Sequence, residues 1–167
     1  MKNQKTPQPV TTERLKASLR GEIQLPGDKS ISHRSFILSA LAVGTSKIHG
    51  LLEGEDVLAT GKAMQAMGAQ TVRQADGTWE VTGRGVSGLT SPDEALDFGN
   101  SGTGIRLTLG TMTGCPVTAK CVGDVSLSRR PMGRVTEPLE QMGAVFEFHG
   151  VARGQLPLTL TSPQRAL

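Results

Sequence analysis

At 167 residues, with 37% apolar residues, only 3% aromatics and 21 glycines, the chain has the profile of a single turn-rich α/β or α+β domain with an aliphatic core. So few aromatic rings argue against a stacking platform for single-stranded nucleic acid. A net charge of only +3, gathered at Lys29 with Arg34 and at Arg129, Arg130 and Arg134, favours a small anionic ligand over a long polyanion.

The opening residues, MKNQKTPQPVTTERLK, are polar and lack the apolar centre of a signal peptide. Residues 1–18 are therefore expected to form a polar tail ahead of a domain at 19–167. No apolar run approaches the length of a membrane span, so no membrane partner is expected. Cys115 and Cys121 show neither metal-ligand spacing nor a secreted disulfide framework, which points to a reducing, cytoplasmic setting.

The stretch LPGDKSISHR (25–34) carries the densest chemistry. Glu22 to Leu25 reads as a short strand, Pro26-Gly27 as a turn, and Ile37, Leu38, Ala40, Leu41 and Val43 as the apolar positions of a following helix. A helix N-terminus after a tight turn presents free backbone N–H groups and the positive end of the helix dipole, a geometry that binds anions. Lys29 and Arg34 add full charges and Ser30 a hydroxyl donor, so the reading is a phosphate or carboxylate site. The alternative is an ordinary solvated helix start with a serine N-cap. His33, inside the motif, is expected to bond locally.

Glu53, Glu55 and Asp56 form an acidic turn expected to cap a helix starting near Val57. GKAMQAMGA (61–69) closes that helix at Gly68. Thr71 to Arg73, the turn signal Asp76-Gly77 and Thr78 to Val81 then read as a hairpin. After the connector SGLTSPDE (87–94), GNSGTGIR (99–106) opens a second apolar helix. Its glycines allow close backbone approach, and Asn100, Ser101, Thr103 and Arg106 can donate to anionic oxygens. Its spacing fits neither a P-loop nor a dinucleotide fingerprint, and a plain strand-to-helix turn accounts for it equally well. GDVSLSRRPMGR (123–134) places Arg129 and Arg130 before Pro131, read as a first helical position. TEPLEQMGA (136–144) then echoes the first Met-Gly-Ala helix end, and Val145 to Phe148 and Leu156 to Leu160 form a second hairpin.

The chain thus repeats a βαβαββ unit, at about 22–86 and 95–161. Such a unit cannot cover both faces of its sheet alone. Because SPQRAL (162–167) supplies no closing element, the chain is expected to be the front part of a longer protein. Three helix starts bearing Lys or Arg, brought side by side, would form one basic pocket.

LPGDKSISHR, GNSGTGIR and SRRPMGR, in this order, resemble the 5-enolpyruvylshikimate-3-phosphate synthase family, and LLEGEDV…TGKAMQAMGA is similar to its class II members. The resemblance covers about residues 19–161. It implies a two-domain enzyme with three βαβαββ units per domain and a cleft between the domains, of which this chain would carry two units. The implied reaction moves the enolpyruvyl group of phosphoenolpyruvate to the 5-hydroxyl of shikimate 3-phosphate, with no metal or organic cofactor. By motif position, Lys29 matches the catalytic lysine that touches both substrates. Ser30 and Arg34 match shikimate 3-phosphate contacts, and Gly102 and Arg130 match phosphoenolpyruvate contacts. Asn100, Thr103 and Arg106 share the loop. The class II, glyphosate-tolerant members commonly carry alanine where this chain has Gly102, and many sensitive members carry proline where it has Leu107. The other implied partner is the rest of the enzyme; the chain alone would then act as an anion-binding or split-enzyme complementation module.

Overall fold

Both Met-Gly-Ala sequences end helices, and for the same reason. Gly68 (φ +103°) and Gly143 (φ +98°) take the left-handed conformation that lets the chain leave a helix and turn straight into a strand. The computed structural model describes residues 10–14, 18 and 20–163. Most of the expected polar tail at 1–18, and residues 164–167, lie outside that range.

The first half runs α1 (Lys29–Leu41), β1 (Val43–Ile48), α2 (Glu55–Ala66), β2 (Gln70–Arg73) and β3 (Trp79–Arg84). The second runs β4 (Leu96–Asp97), α3 (Gly102–Thr113), β5 (Thr118–Val122), α4 (Val125–Ser128), α5 (Gly133–Gln141), β6 (Val145–Phe148) and β7 (Leu158–Thr161). The first sheet has the order β1-β3-β2 and is antiparallel throughout, with Ser46 opposite Val81 and Thr71 opposite the same residue on the other side. The second has the order β4-β5-β7-β6, in which β4 and β5 are parallel and the rest antiparallel. This is an α/β fold built on the repeat, complete in the second half and lacking its opening strand in the first.

Four local expectations are corrected. Glu22 to Leu25 joins no sheet, and Ile23 and Leu25 are 84% and 77% exposed. Four residues ending at Pro26 make too few ladder bonds to offset the ordering of their backbone without a partner edge. The N-cap of α1 is Asp28, whose carboxylate accepts from the Ile31 N–H at 2.7 Å, and not a serine. Helix α2 starts at Glu55 with Gly54 as N-cap, so the acidic turn supplies its first residues and no side-chain cap. Pro131 precedes α5, whose N-cap is Met132, and the extra turn α4 lies just before it.

The helices form the middle of the molecule. α1 divides its apolar side chains: Phe36 joins Val57 and Val81 against the first sheet, while Ile37 and Ala40 enter a larger cluster. That cluster takes Met64 from α2 and Met67 from its C-cap, Ile105, Leu109 and Met112 from α3, Leu139 from α5, and Leu158 and Leu160 from β7. Packing of α1 onto the sheet is close enough to require glycine at residue 83, where an added Cβ would stand 2.1 Å from the Ser39 carbonyl oxygen. Both cysteines are buried and unpaired. No described helix is long and apolar enough to cross a membrane.

Candidate anion-binding site

Side-chain caps fix the starts of α1 and α3. Asp28 caps α1, and the Ser32 hydroxyl donates to its carbonyl at 2.7 Å while accepting from the Leu52 N–H at 3.0 Å. Lys29 is then the first helical residue, and its ammonium is ion-paired with Asp56 in the first turn of α2. One turn along, His33 Nδ1 shares a 2.8 Å hydrogen bond with Thr60 Oγ1. Lys29 and His33 are four residues apart on α1, as are Asp56 and Thr60 on α2, so the two contacts are successive rungs between neighbouring helices.

The third helix joins at the same level. Ser101 caps α3 by accepting from the Gly104 N–H at 3.2 Å, and its hydroxyl donates to the Asp56 carbonyl at 3.0 Å. Asp56 therefore ties three helix starts together, its side chain to α1 and its backbone to α3. Burial pushes the His33 imidazole below its ordinary pKa; nearby Lys29 adds to that and Asp56 opposes it. The ring is fully buried and, among the described residues, its Nε2 has no hydrogen-bond partner.

Two arginines converge beside this junction. Arg106 donates to the carbonyls of Gly102 at 2.8 Å and Pro131 at 3.1 Å, pinning the first turn of α3 to the segment before α5. Arg130 donates to Asn100 Oδ1 at 2.5 Å and Ser126 Oγ at 3.3 Å. Asn100 in turn donates to Asp124 at 2.7 Å. A Cβ added to Gly102 would lie 2.9 Å from an Nη of each arginine, so glycine here leaves open the space where the two guanidinium groups meet. Arg106 has its pKa lowered, first by burial and then by repulsion from Arg130 and Arg134. An anion in that space would relieve the repulsion.

Lys29, Asn100, Gly102, Arg106 and Arg130 are thus linked by an unbroken run of contacts through Asp56 and Ser101. Ser30 and Arg34, one turn apart on α1, are exposed, and so is Thr103 in the first turn of α3. Arg129 points elsewhere, lining a separate cleft with Val125, Val151 and Leu156. The cleft of about 440 Å³ lined by Phe36, Lys62, Arg73 and Trp79 shares no residue with the site. The sequence reading missed the linking roles of Asp56, Thr60 and Ser101. The available signal was the four-residue spacing Lys29/His33 set against Asp56/Thr60.

A lysine, two arginines and a glycine gathered around the helix starts form a candidate small-anion site on a repeated α/β fold. The family model described as EPSP synthase (3-phosphoshikimate 1-carboxyvinyltransferase) matches residues 14–164, and the chain belongs to that family. It is 61% identical over 150 residues to the 3-phosphoshikimate 1-carboxyvinyltransferase of Parvibaculum lavamentivorans, covering 90% of this chain and 33% of the relative. It is also 61% identical over 142 residues to that of Novosphingobium aromaticivorans, covering 85% and 32%. Among solved structures it is similar to EPSP synthase from Acinetobacter baumannii, with a TM-score of 0.80 and 42% identity over 87% of this chain and 33% of that one. The chain spans about a third of the length of the relatives it matches.

Proposed function

We propose that this chain supplies part of the substrate-binding cleft of an enolpyruvyl transferase. The whole enzyme would move the enolpyruvyl group of phosphoenolpyruvate to the 5-hydroxyl of shikimate 3-phosphate and release phosphate, a step toward chorismate and the aromatic amino acids. The observation that carries this reading is the meeting of Arg106 and Arg130 over Gly102, contiguous with Lys29.

In this reaction a proton adds to carbon 3 of the enol while the 5-hydroxyl gives up its own proton and its oxygen bonds to carbon 2, giving a tetrahedral intermediate. The carbon–oxygen bond to phosphate then breaks as carbon 3 gives up a proton, restoring the double bond. Both substrates are anionic, so preorganised cations lower the cost of bringing them together and orient them for attack. Arg130, fixed by Asn100 and Ser126, is assigned to the phosphoenolpyruvate phosphate. The carbonyl-anchored Arg106 holds the loop against which that substrate lies. Lys29, at the mouth of α1, is assigned to both substrates, with Ser30 and Arg34 toward shikimate 3-phosphate and Asn100 and Thr103 on the adjoining loop. The assigned chemistry calls for no cofactor, and a cytoplasmic setting suits the free thiols.

The second reading, an anion-binding or complementation module without turnover of its own, is favoured for these residues alone by their span of a third of their relatives. One experiment covers both. The chain is mixed with the remaining two thirds of a relative, both substrates are added and phosphate release is followed. Turnover is expected only in the mixture, and Lys29→Gln or Arg130→Ala should lower it at least about a hundredfold. Robust turnover by the chain alone, or full activity of both variants, would overturn the assignment.

A further inference from the structure

Among the described residues, the site's cations are not treated alike. Arg106 and Arg130 bond only neutral oxygens: two carbonyls, an amide and a hydroxyl. Lys29 is ion-paired with a carboxylate. Asp56 occupies the first turn of α2, where the helix dipole favours a negative charge, and its carbonyl is held by the Ser101 hydroxyl. The Asp56 backbone is thereby held in place, on a short side chain with two rotatable bonds. Lys29, half exposed on a flexible four-carbon stem, is the partner free to swing.

We propose that Asp56 is a positioning residue for Lys29 and its resident competitor. It parks the ammonium at the junction of α1, α2 and α3, and an incoming anion draws Lys29 away from it. A ligand that meets Lys29 alone trades one carboxylate for another anion and gains little. A ligand that also reaches the guanidinium pair at Gly102 gains contacts that Asp56 cannot offer. The pair therefore sets a threshold that favours multiply charged, extended anions over simple ones. This inference rests on the reading of this face as an anion site.

The test titrates the isotope-labelled chain with inorganic phosphate at constant ionic strength and follows the backbone amides of Ser30, Ile31, Thr103 and Gly104 by NMR. Asp56→Asn keeps the side-chain shape and removes the charge. It should tighten phosphate binding about three- to tenfold, the size of one unit charge removed from about 5 Å away in a solvent-like dielectric. The same substitution made in a Lys29→Gln background should lose most of that gain, a coupling that a purely structural role for Asp56 would not produce. Unchanged or weakened phosphate binding by a well-dispersed Asp56→Asn variant overturns the proposal, as does a gain that survives intact without Lys29. If the parent chain itself shows no phosphate-dependent shifts, the anion-site reading fails, and this proposal fails with it.

Discussion

His33 shows how much a single side chain in the LPGDKSISHR motif is shaped by its surroundings. The ring is fully enclosed, bonded through Nδ1 to Thr60, with Nε2 facing no acceptor among the described residues. A proton added at Nε2 would be a buried charge near the Lys29 ammonium, which is why burial first and Lys29 second hold its pKa below the ordinary 6.5. The sign of the effect on stability follows. Below pH 6.5 the unfolded chain binds a proton at this position before the folded chain does, so folding free energy is lost as pH falls from 6.5 toward the lowered folded value. Above 6.5 the contribution is complete. Asparagine can keep the hydrogen bond to Thr60 but cannot titrate. Denaturant melts across pH 7.5 to about 4.5 should therefore show a shallower acid loss for His33→Asn than for the parent. At pH 7.5 the variant should be less stable by about 1–3 kcal/mol for the lost ring volume. Equal slopes would mean that His33 titrates normally in the folded chain. His49 and His149 are common to both proteins and cancel in the comparison. The expected local bond of His33 is corrected: its partner is Thr60, 27 positions away on α2, so neither the bond nor the burial of the ring could be read from the motif.

At the level of elements, periodicity and turn chemistry carried most of the reading. The two Met-Gly-Ala helix ends, both hairpins and the glycine-rich start of α3 stand where local residues put them, since each depends on contacts within a few positions. Three of the misses are local, a matter of which neighbouring residue caps or opens a helix, and the others depend on contacts across the chain. Glu22 to Leu25 has the composition of a strand but no edge to join, and Asp56 looks like a cap until α1 brings Lys29 beside it. Ser101 combines both kinds of information. It is a recognisable N-cap, yet its hydroxyl also spans to α2 in a fully buried setting. Ser101→Ala should consequently cost about 2–3 kcal/mol, more than a typical cap of about 1 kcal/mol, because the Asp56 carbonyl loses a donor as well. Ser91, whose hydroxyl accepts from the Thr118 N–H at an exposed position, is the natural control. Ser91→Ala should cost less than about 1 kcal/mol, its freed N–H being open to water. Similar urea midpoints for the two variants would show that the α2–α3 bond contributes nothing.

Across the whole molecule the two repeats are not two folding units. Helices α1 and α2 contribute Phe36 and Val57 to a small cluster under the first sheet, but Ile37, Ala40, Ala63, Met64 and the C-cap residue Met67 to the cluster that also holds α3, α5 and the second sheet. The connector is part of it too, through Leu89, which is 1% exposed. Opening either half uncovers the apolar faces of the other, so the halves should unfold together. Two intrinsic probes report on them separately. The only tryptophan, Trp79, stacks edge-on against Phe36 in the first half, with ring centres 5.2 Å apart. In the second half Cys121 is fully buried on β5, its thiol pKa pushed up to about 12 by burial, so it stays unreactive until that half opens. Tryptophan fluorescence and thiol labelling should therefore give coincident urea midpoints. Ile105→Ala, which removes a fully buried side chain on α3, should lower both by the same amount, equivalent to about 2–4 kcal/mol. A tryptophan transition that stays in place while the thiol transition moves would show that the shared helical core does not couple the repeats.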